Sequence, residues 1–340
     1  MSHKALSREQ MKAAIEHGGY LPQTIGLWIS PDTYTQQFNE AQVLLNEYPM
    51  DTQLLIPTFP GYDCSPLPDH PEYVWGGHPQ STNKAIDSQQ WIADWDDLDS
   101  FIENMPKASL VPITKAVKKA ALEDTSGRYR LCHFWYFFYE RLWSFRGMEN
   151  ALCDLYTNPE EIKILFGALC DFYIGVIGRM CDEIGCDGVY TTDDLGTQRS
   201  LMFSPVIFRE LFAPFYRRVV DYCHQRGLHF WFHTCGNVEC ILPDLIDIGV
   251  DIIHPIQKFT MDEAAIAEHF GGQICFMCGM DVQQTMPFGT PEDVRAEVRR
   301  LVDIYRKDGG RMILSMGNGV TPNIPIENLR ALYDELYKLR

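Results

Sequence analysis

The sequence predicts a single-domain (β/α)8 barrel spanning residues 1–340, and three observations carry that expectation. From Gly188 onward, apolar strand-like runs alternate five times with amphipathic helical runs, and repeated βα units with short connections build a parallel sheet covered by helices. Three apolar runs upstream bring the strand total to eight, which favours a closed barrel over an open sheet. Several of these runs also end in His, Cys or Asp, and active sites of such barrels lie at the C-terminal ends of the strands.

Taken in order, the first three predicted strands are Thr24–Ile29, Gln53–Thr58 and Leu131–Phe137. Between Pro57 and Arg130 the chain exceeds what a βα unit needs. It is rich in Pro and Gly at first and helical around Trp91–Met105, so it reads as an excursion over the barrel mouth, a lid or homodimer contact. The fourth strand, Gly188–Asp194, precedes a helix at Ser204–Arg226 that Ser204-Pro205 opens as N-cap and first residue. Strand His229–Cys235 leads to helix Val238–Gly249, strand Asp251–Ile256 to helix Met261–Phe270, and strand Gln273–Gly279 to helix Pro291–Lys307. Strand Arg311–Gly317 and helix Ile326–Leu339 close the pattern.

Bulk composition narrows the function. With 46% hydrophobic and 22% charged residues the chain has ordinary globular balance. A net charge of −17 repels phosphate backbones and anionic lipid, which argues against nucleic-acid and membrane partners. No run approaches ~18 consecutive apolar residues, and Met1–Tyr20 lacks the apolar stretch of a secretory signal. Eleven cysteines, an odd number scattered through apolar segments, fit free thiols. A cytoplasmic enzyme acting on a small molecule is the expectation.

The strand ends supply the candidate chemistry. They carry Asp193-Asp194, His233-Thr234-Cys235-Gly236, His254, Cys278-Gly279 with Asp281 just beyond, and Gly317-Asn318-Gly319. His233 and Cys235 are two apart on a strand, so both project to one side while Phe230 and Phe232 project to the other. Side by side they form half of a zinc site, although both residue types also serve as core. His254 could simply bond a loop carbonyl, and Cys278 could be a small packed residue. The helical cysteines, Tyr190 and Trp231 read as packing. Two adjacent acids after an apolar strand are costly to bury unless they bind something. Only one of them can point inward; alternation puts Asp194 on the side of Tyr190 and Thr192, and Asp193 on the other, to cap or brace the loop before Gln198.

These blocks resemble a known family. Thr192-Asp193-Asp194-Leu195-Gly196-Thr197-Gln198, Phe232-His233-Thr234-Cys235-Gly236-Asn237, Asp251 to Gln257, Gly279 to Gln283 and Gly317 to Arg330 are similar to consecutive blocks of the uroporphyrinogen decarboxylase superfamily, densely from about Arg141 onward. The resemblance implies a (β/α)8 barrel. It also implies one of two activities: metal-independent decarboxylation of a porphyrinogen, or zinc-dependent transfer of a methyl group between a corrinoid protein and a thiol or other acceptor. A substrate with many carboxylates needs cationic partners, and no arginine occurs between Arg8 and Arg128. The H-x-C at the fifth strand matches the methyltransferase branch, whereas Asn318 stands where that branch has a further cysteine. Cys278, His254 or an acid would have to replace it.

The resulting expectations are Asp194, Asp193, Gln198 and His254 as catalytic residues, His233 and Cys235 as zinc ligands, and Asn318 and Cys278 as cofactor-binding residues. The implied function is a corrinoid-linked methyltransferase whose corrinoid sits on a partner protein. The alternatives are a metal-independent decarboxylase or lyase of a smaller acid, with Asp194 relaying a proton, and a non-catalytic subunit binding a corrinoid or small molecule.

Overall fold

A computed structural model describes residues 3–28, 40, 43–57 and 90–340. Seven strands pair in parallel and in sequence order: β1 (Thr52–Leu55), β2 (Tyr129–Phe134), β3 (Gly188–Thr192), β4 (His229–His233), β5 (Ile252–His254), β6 (Cys275–Met280) and β7 (Met312–Met316). The place of an eighth strand, between β7 and β1, is held by the short segment Pro22–Thr24. Leu314 donates to the Pro22 carbonyl and Thr24 to the Leu314 carbonyl, both at 2.9 Å, while Asp51 donates to the Gln23 carbonyl at 3.3 Å. The barrel is therefore closed by three residues.

This corrects the predicted strand Thr24–Ile29, which is a 3-10 turn at Ile25–Trp28. The buried Gln23 side chain supplies the reason. Its amide donates to the Pro49 carbonyl at 2.8 Å while its oxygen takes the Ile25 N–H at 3.0 Å, turning the chain away from the sheet.

Strand alternation sorts the side chains into two cores. Leu131, Tyr190, Trp231, Ile252, Met277 and Ile313 fill the barrel interior, and Met11 and Ile15 of the helix Arg8–Glu16 pack onto them. A Ser7 capping box starts that helix, and Asp187, just before β3, pairs with its Arg8 and Lys12. The alternate strand residues, among them Phe230, Phe232, Phe276 and Cys278, face the surrounding helices. Each large apolar side chain so buried stabilises by about 1.5–3 kcal/mol. The same alternation corrects the role expected for Cys278: Met277 points into the barrel, so Cys278 points away from it, into the helix layer.

The outer helices follow the sequence pattern closely. The expected helix Ser204–Arg226 is a composite of Pro205–Ile207, a π-helical turn at Phe208–Phe212, and Ala213–Gln225. Pro214 has no N–H to continue an α-helical ladder, which accounts for the wider turn before it. Among the described residues, one helix, Pro159–Glu183, is long and apolar enough to cross a membrane by length and composition. It buries Leu165, Phe166, Leu169, Tyr173 and Val176 in the outer core. The excursion expected over the mouth includes residues 58–89, which lie outside the described residues. Its described part packs on outer helices: Phe101 meets Phe145 with ring centroids 4.8 Å apart, and Arg179 donates to the Ala108 and Val111 carbonyls at 2.8 Å.

Candidate metal centre

The two acids that end β3 part company. Asp193 is fully buried and turns outward. Its carboxylate accepts from the backbone N–H groups of Phe138, Tyr139 and Glu140 at 3.1, 2.9 and 2.7 Å, and from the Tyr216 hydroxyl at 2.5 Å. These amides begin the helix Tyr139–Arg146, so Asp193 caps a helix that follows β2. The loop it holds is therefore not the one before Gln198. Asp194 faces the mouth with its side chain 47% exposed, and its Oδ1 accepts from the Cys235 N–H at 2.8 Å.

That contact depends on a glycine pair. Gly236 has φ +84°, and a Cβ there would lie 2.4 Å from the carbonyl carbon of Gly196. The loops after β3 and β4 consequently touch backbone to backbone, which brings Asp194 against Cys235.

On β4, His233 and Cys235 do share a face, with Sγ 3.3 Å from His233 Nε2. Asp194 Oδ1 lies 3.5 Å from the same nitrogen. The donor atoms of Asp194, His233 and Cys235 all fall within 4.8 Å of one another. Ligands ~2.0–2.3 Å from a tetrahedral zinc stand roughly 3.3–3.7 Å apart, so both distances are compatible with a shared ion. Imidazole nitrogen, thiolate sulfur and carboxylate oxygen are all zinc donors.

The electrostatics agree. Burial pulls His233 down to about 3, with His133 adding to the effect, so the ring is neutral and ligand-competent. Burial pushes the Cys235 thiol up, helped by the Asp194 charge, and burial also raises Asp194 against the Cys235 N–H bond. A bound cation would reverse the shifts of the thiol and the carboxyl, because it stabilises both anions.

Cys235 also lines a partly open cavity, with Gln257, Lys258, Asp281, Gln283 and Asn318 in its walls. Lys258 is neutralised within that wall, 2.6 Å from Glu297 and 3.6 Å from Asp281. The Gln257 oxygen accepts from the Gly236 N–H at 2.7 Å, fixing the loop that carries Cys235.

The other expected residues are spread more widely. His254 is fully buried behind His233, its Nδ1 2.6 Å from His233 Nδ1. Burial holds it well below the usual histidine range, with His233 adding to the effect. Asn318 is exposed at the cavity wall, and its oxygen accepts from the Gly319 N–H at 2.8 Å. Gln198 is exposed in the turn that Thr197 and Ser200 close, away from the cavity lining. Cys278 belongs to the helix layer, with Sγ 3.6 Å from the Phe276 carbonyl, so it supplies no replacement thiolate. The acid Asp194 completes the cluster instead.

Sequence reasoning missed Glu140 and His133. Glu140 is buried, accepts from the Thr192 hydroxyl at 2.8 Å and raises the Cys235 thiol. His133 is buried and donates from Nδ1 to the Tyr190 carbonyl at 2.9 Å. Both fall in the aromatic run Phe134–Trp143, or just before it, where the apolar pattern hides them. The usable signal was a charged pair, Glu140-Arg141, inside an otherwise aromatic and apolar run after β2.

Comparison with known proteins agrees with this architecture. The family model for uroporphyrinogen decarboxylase matches residues 142–339. The methylated-thiol–coenzyme M methyltransferase of Methanosarcina mazei is 27% identical over 188 residues, covering 54% of this chain and 47% of that protein. A uroporphyrinogen decarboxylase of Synechococcus sp. is 32% identical over 183 residues, covering 52% of this chain and 48% of its own. The chain thus spans about half the length of the curated relatives it matches. In fold it is similar to a solved methyltransferase from Methanosarcina mazei, with a TM-score of 0.67, 12% identity and 98% of both chains covered.

Proposed function

The chain belongs to the uroporphyrinogen decarboxylase family, and on that premise we propose that it is a methyltransferase with a zinc-type centre on Asp194, His233 and Cys235. The observation that carries the reading is the convergence of three chemically different donors at ligand spacing on the C-terminal face of the barrel. Asp194, His233 and Cys235 would hold the ion, which would supply Lewis acidity at the heteroatom that gives or accepts the methyl group. We assign the methyl group itself to a corrinoid on a separate protein, on the resemblance of the His233-Thr234-Cys235 block to the methyltransferase branch.

The chain's own residues fit such a role. Cys235 is shared between the donor set and the cavity wall, so a substrate in the cavity lies against the cluster. Asp194, partly exposed, is the donor that can also take or return a proton at the mouth. One thiolate with one carboxylate is a harder donor set than two thiolates, so Asp194 in place of a second cysteine makes the centre more Lewis acidic.

A metal-independent decarboxylase is the second reading, favoured by the 32% identity to a uroporphyrinogen decarboxylase. Stopped-flow absorbance of methylcobalamin with a panel of small thiols and alcohols separates the two. Demethylation of the corrinoid by wild type, lost in Cys235→Ser, supports methyl transfer. Equal rates in both proteins, or no reaction with any acceptor beside decarboxylation of a small acid, would sink it.

A further inference from the structure

We infer that His254 is a positioning residue that fixes the tautomer of His233 and thereby aims its lone pair at the donor cluster; the inference rests on the metal reading above. His254 lies at the end of β5, wholly inside the barrel, and no edge of its ring reaches the cavity. A role in touching substrate is closed to it. Its contacts nonetheless bear on where the His233 proton sits.

His254 Nε2 is 2.8 Å from the Met316 carbonyl. A carbonyl only accepts, so Nε2 carries the hydrogen. Full burial beside a second imidazole disfavours a charged ring, and the neutral ring then has its lone pair on Nδ1. That nitrogen faces the Tyr190 hydroxyl at 3.0 Å and His233 Nδ1 at 2.6 Å. Two ring nitrogens that close need one proton between them, and His254 Nδ1 has none to give. The proton is therefore on His233 Nδ1, which places the His233 lone pair on Nε2. Nε2 is the atom that lies 3.3 Å from Cys235 Sγ and 3.5 Å from Asp194 Oδ1.

The chain of command runs from the β7 backbone through His254 to His233. Met316 ends β7 and pairs with Met280 of β6, so its carbonyl is held by the sheet. The opposite His233 tautomer would point an N–H into the space between the thiol and the carboxylate and close the cluster to a cation. Ligating histidines elsewhere are commonly set in this way by a partner on the far nitrogen, at a cost of 10–100-fold in metal affinity when it is removed. Here the far partner is a second imidazole, itself set by a backbone carbonyl.

The test has two arms. In the first, long-range 1H–15N correlation spectra of metal-free wild type report which ring nitrogen of each histidine is protonated. Nδ1–H on His233 with Nε2–H on His254 is expected; Nε2–H on His233 overturns the inference whatever the metal does. In the second, zinc affinity is measured by competition with a chromophoric chelator. A glutamine amide can both accept from His233 and donate to Met316, whereas leucine can do neither. His254→Leu should lose roughly 10–100-fold in affinity, and His254→Gln should recover most of it. Equal affinity in wild type and His254→Leu would overturn the inference while leaving the metal centre standing. Failure of wild type to bind zinc at all would instead remove the reading on which it rests. Should His254→Leu not fold, the glutamine variant and the wild-type spectra still decide.

Discussion

At the scale of single residues, Asp193 and Asp194 show how one peptide step divides structure from chemistry. Strand alternation says only that the two turn opposite ways, and they do: Asp194 meets Cys235 and His233, while Asp193 caps a helix. Asp194→Asn keeps shape and the Cys235 N–H bond but removes the anion. It should weaken zinc binding and turnover at least tenfold with a melting temperature close to wild type; a large fall in melting temperature with intact turnover would make Asp194 structural. The sign of the pH dependence follows from Cys235. Burial pushes its thiol up, so in metal-free protein at neutral pH the proton is still bound and zinc must displace it. Zinc affinity should then climb about tenfold per pH unit below the thiol's pKa, with proton release on binding. Zinc titrations at several pH values check this, and an affinity independent of pH would show that Cys235 is not a ligand.

At the scale of elements, the site is held by contacts that cross from one βα unit to the next. Asp193 of β3 caps the helix after β2, and Tyr216, from the helix after β3, donates to the same carboxylate. Asp193→Ala orphans three buried amides and a hydroxyl, and should cost about 3–5 kcal/mol of stability; Tyr216→Phe should cost about 1–2 kcal/mol. Urea unfolding measures both, and an Asp193→Ala loss below 1 kcal/mol would mean that water replaces the cap. These elements also show what the sequence makes legible. The seven strands and their order follow from alternating apolar runs, and the His233 and Cys235 face follows from two-residue spacing. The same spacing would have turned Cys278 outward once Met277 was known to face in, but a run apolar on both faces, Cys275–Met280, does not say which face is which. Gln23 escaped for another reason. Its bonds to Pro49 and Ile25 are set by the tertiary fold and leave no trace in local pattern. His133 and Glu140 were hidden by aromatic neighbours that read as core.

At the scale of the whole molecule, the barrel places an acidic, compact site where the family resemblance led one to expect either a porphyrinogen or a methyl donor. Among the described residues, the lysine of the cavity beside Cys235, Lys258, is already paired with two carboxylates. Arg128 and Arg130, the first arginines after Arg8, are spent on Asp124 and on the Ile184 and Ala121 carbonyls. A substrate bearing many carboxylates finds little compensation among the described residues. Uroporphyrinogen should accordingly be neither bound tightly nor decarboxylated, and steady formation of coproporphyrinogen, followed by fluorescence after oxidation, would contradict that expectation. Whether Asp194, His233 and Cys235 form a metal centre is decided by metal analysis of protein purified in the presence of zinc. Wild type should carry close to one zinc per chain, and His233→Ala should lose it with the fold retained. Wild type that stays metal-free while fully active would contradict it.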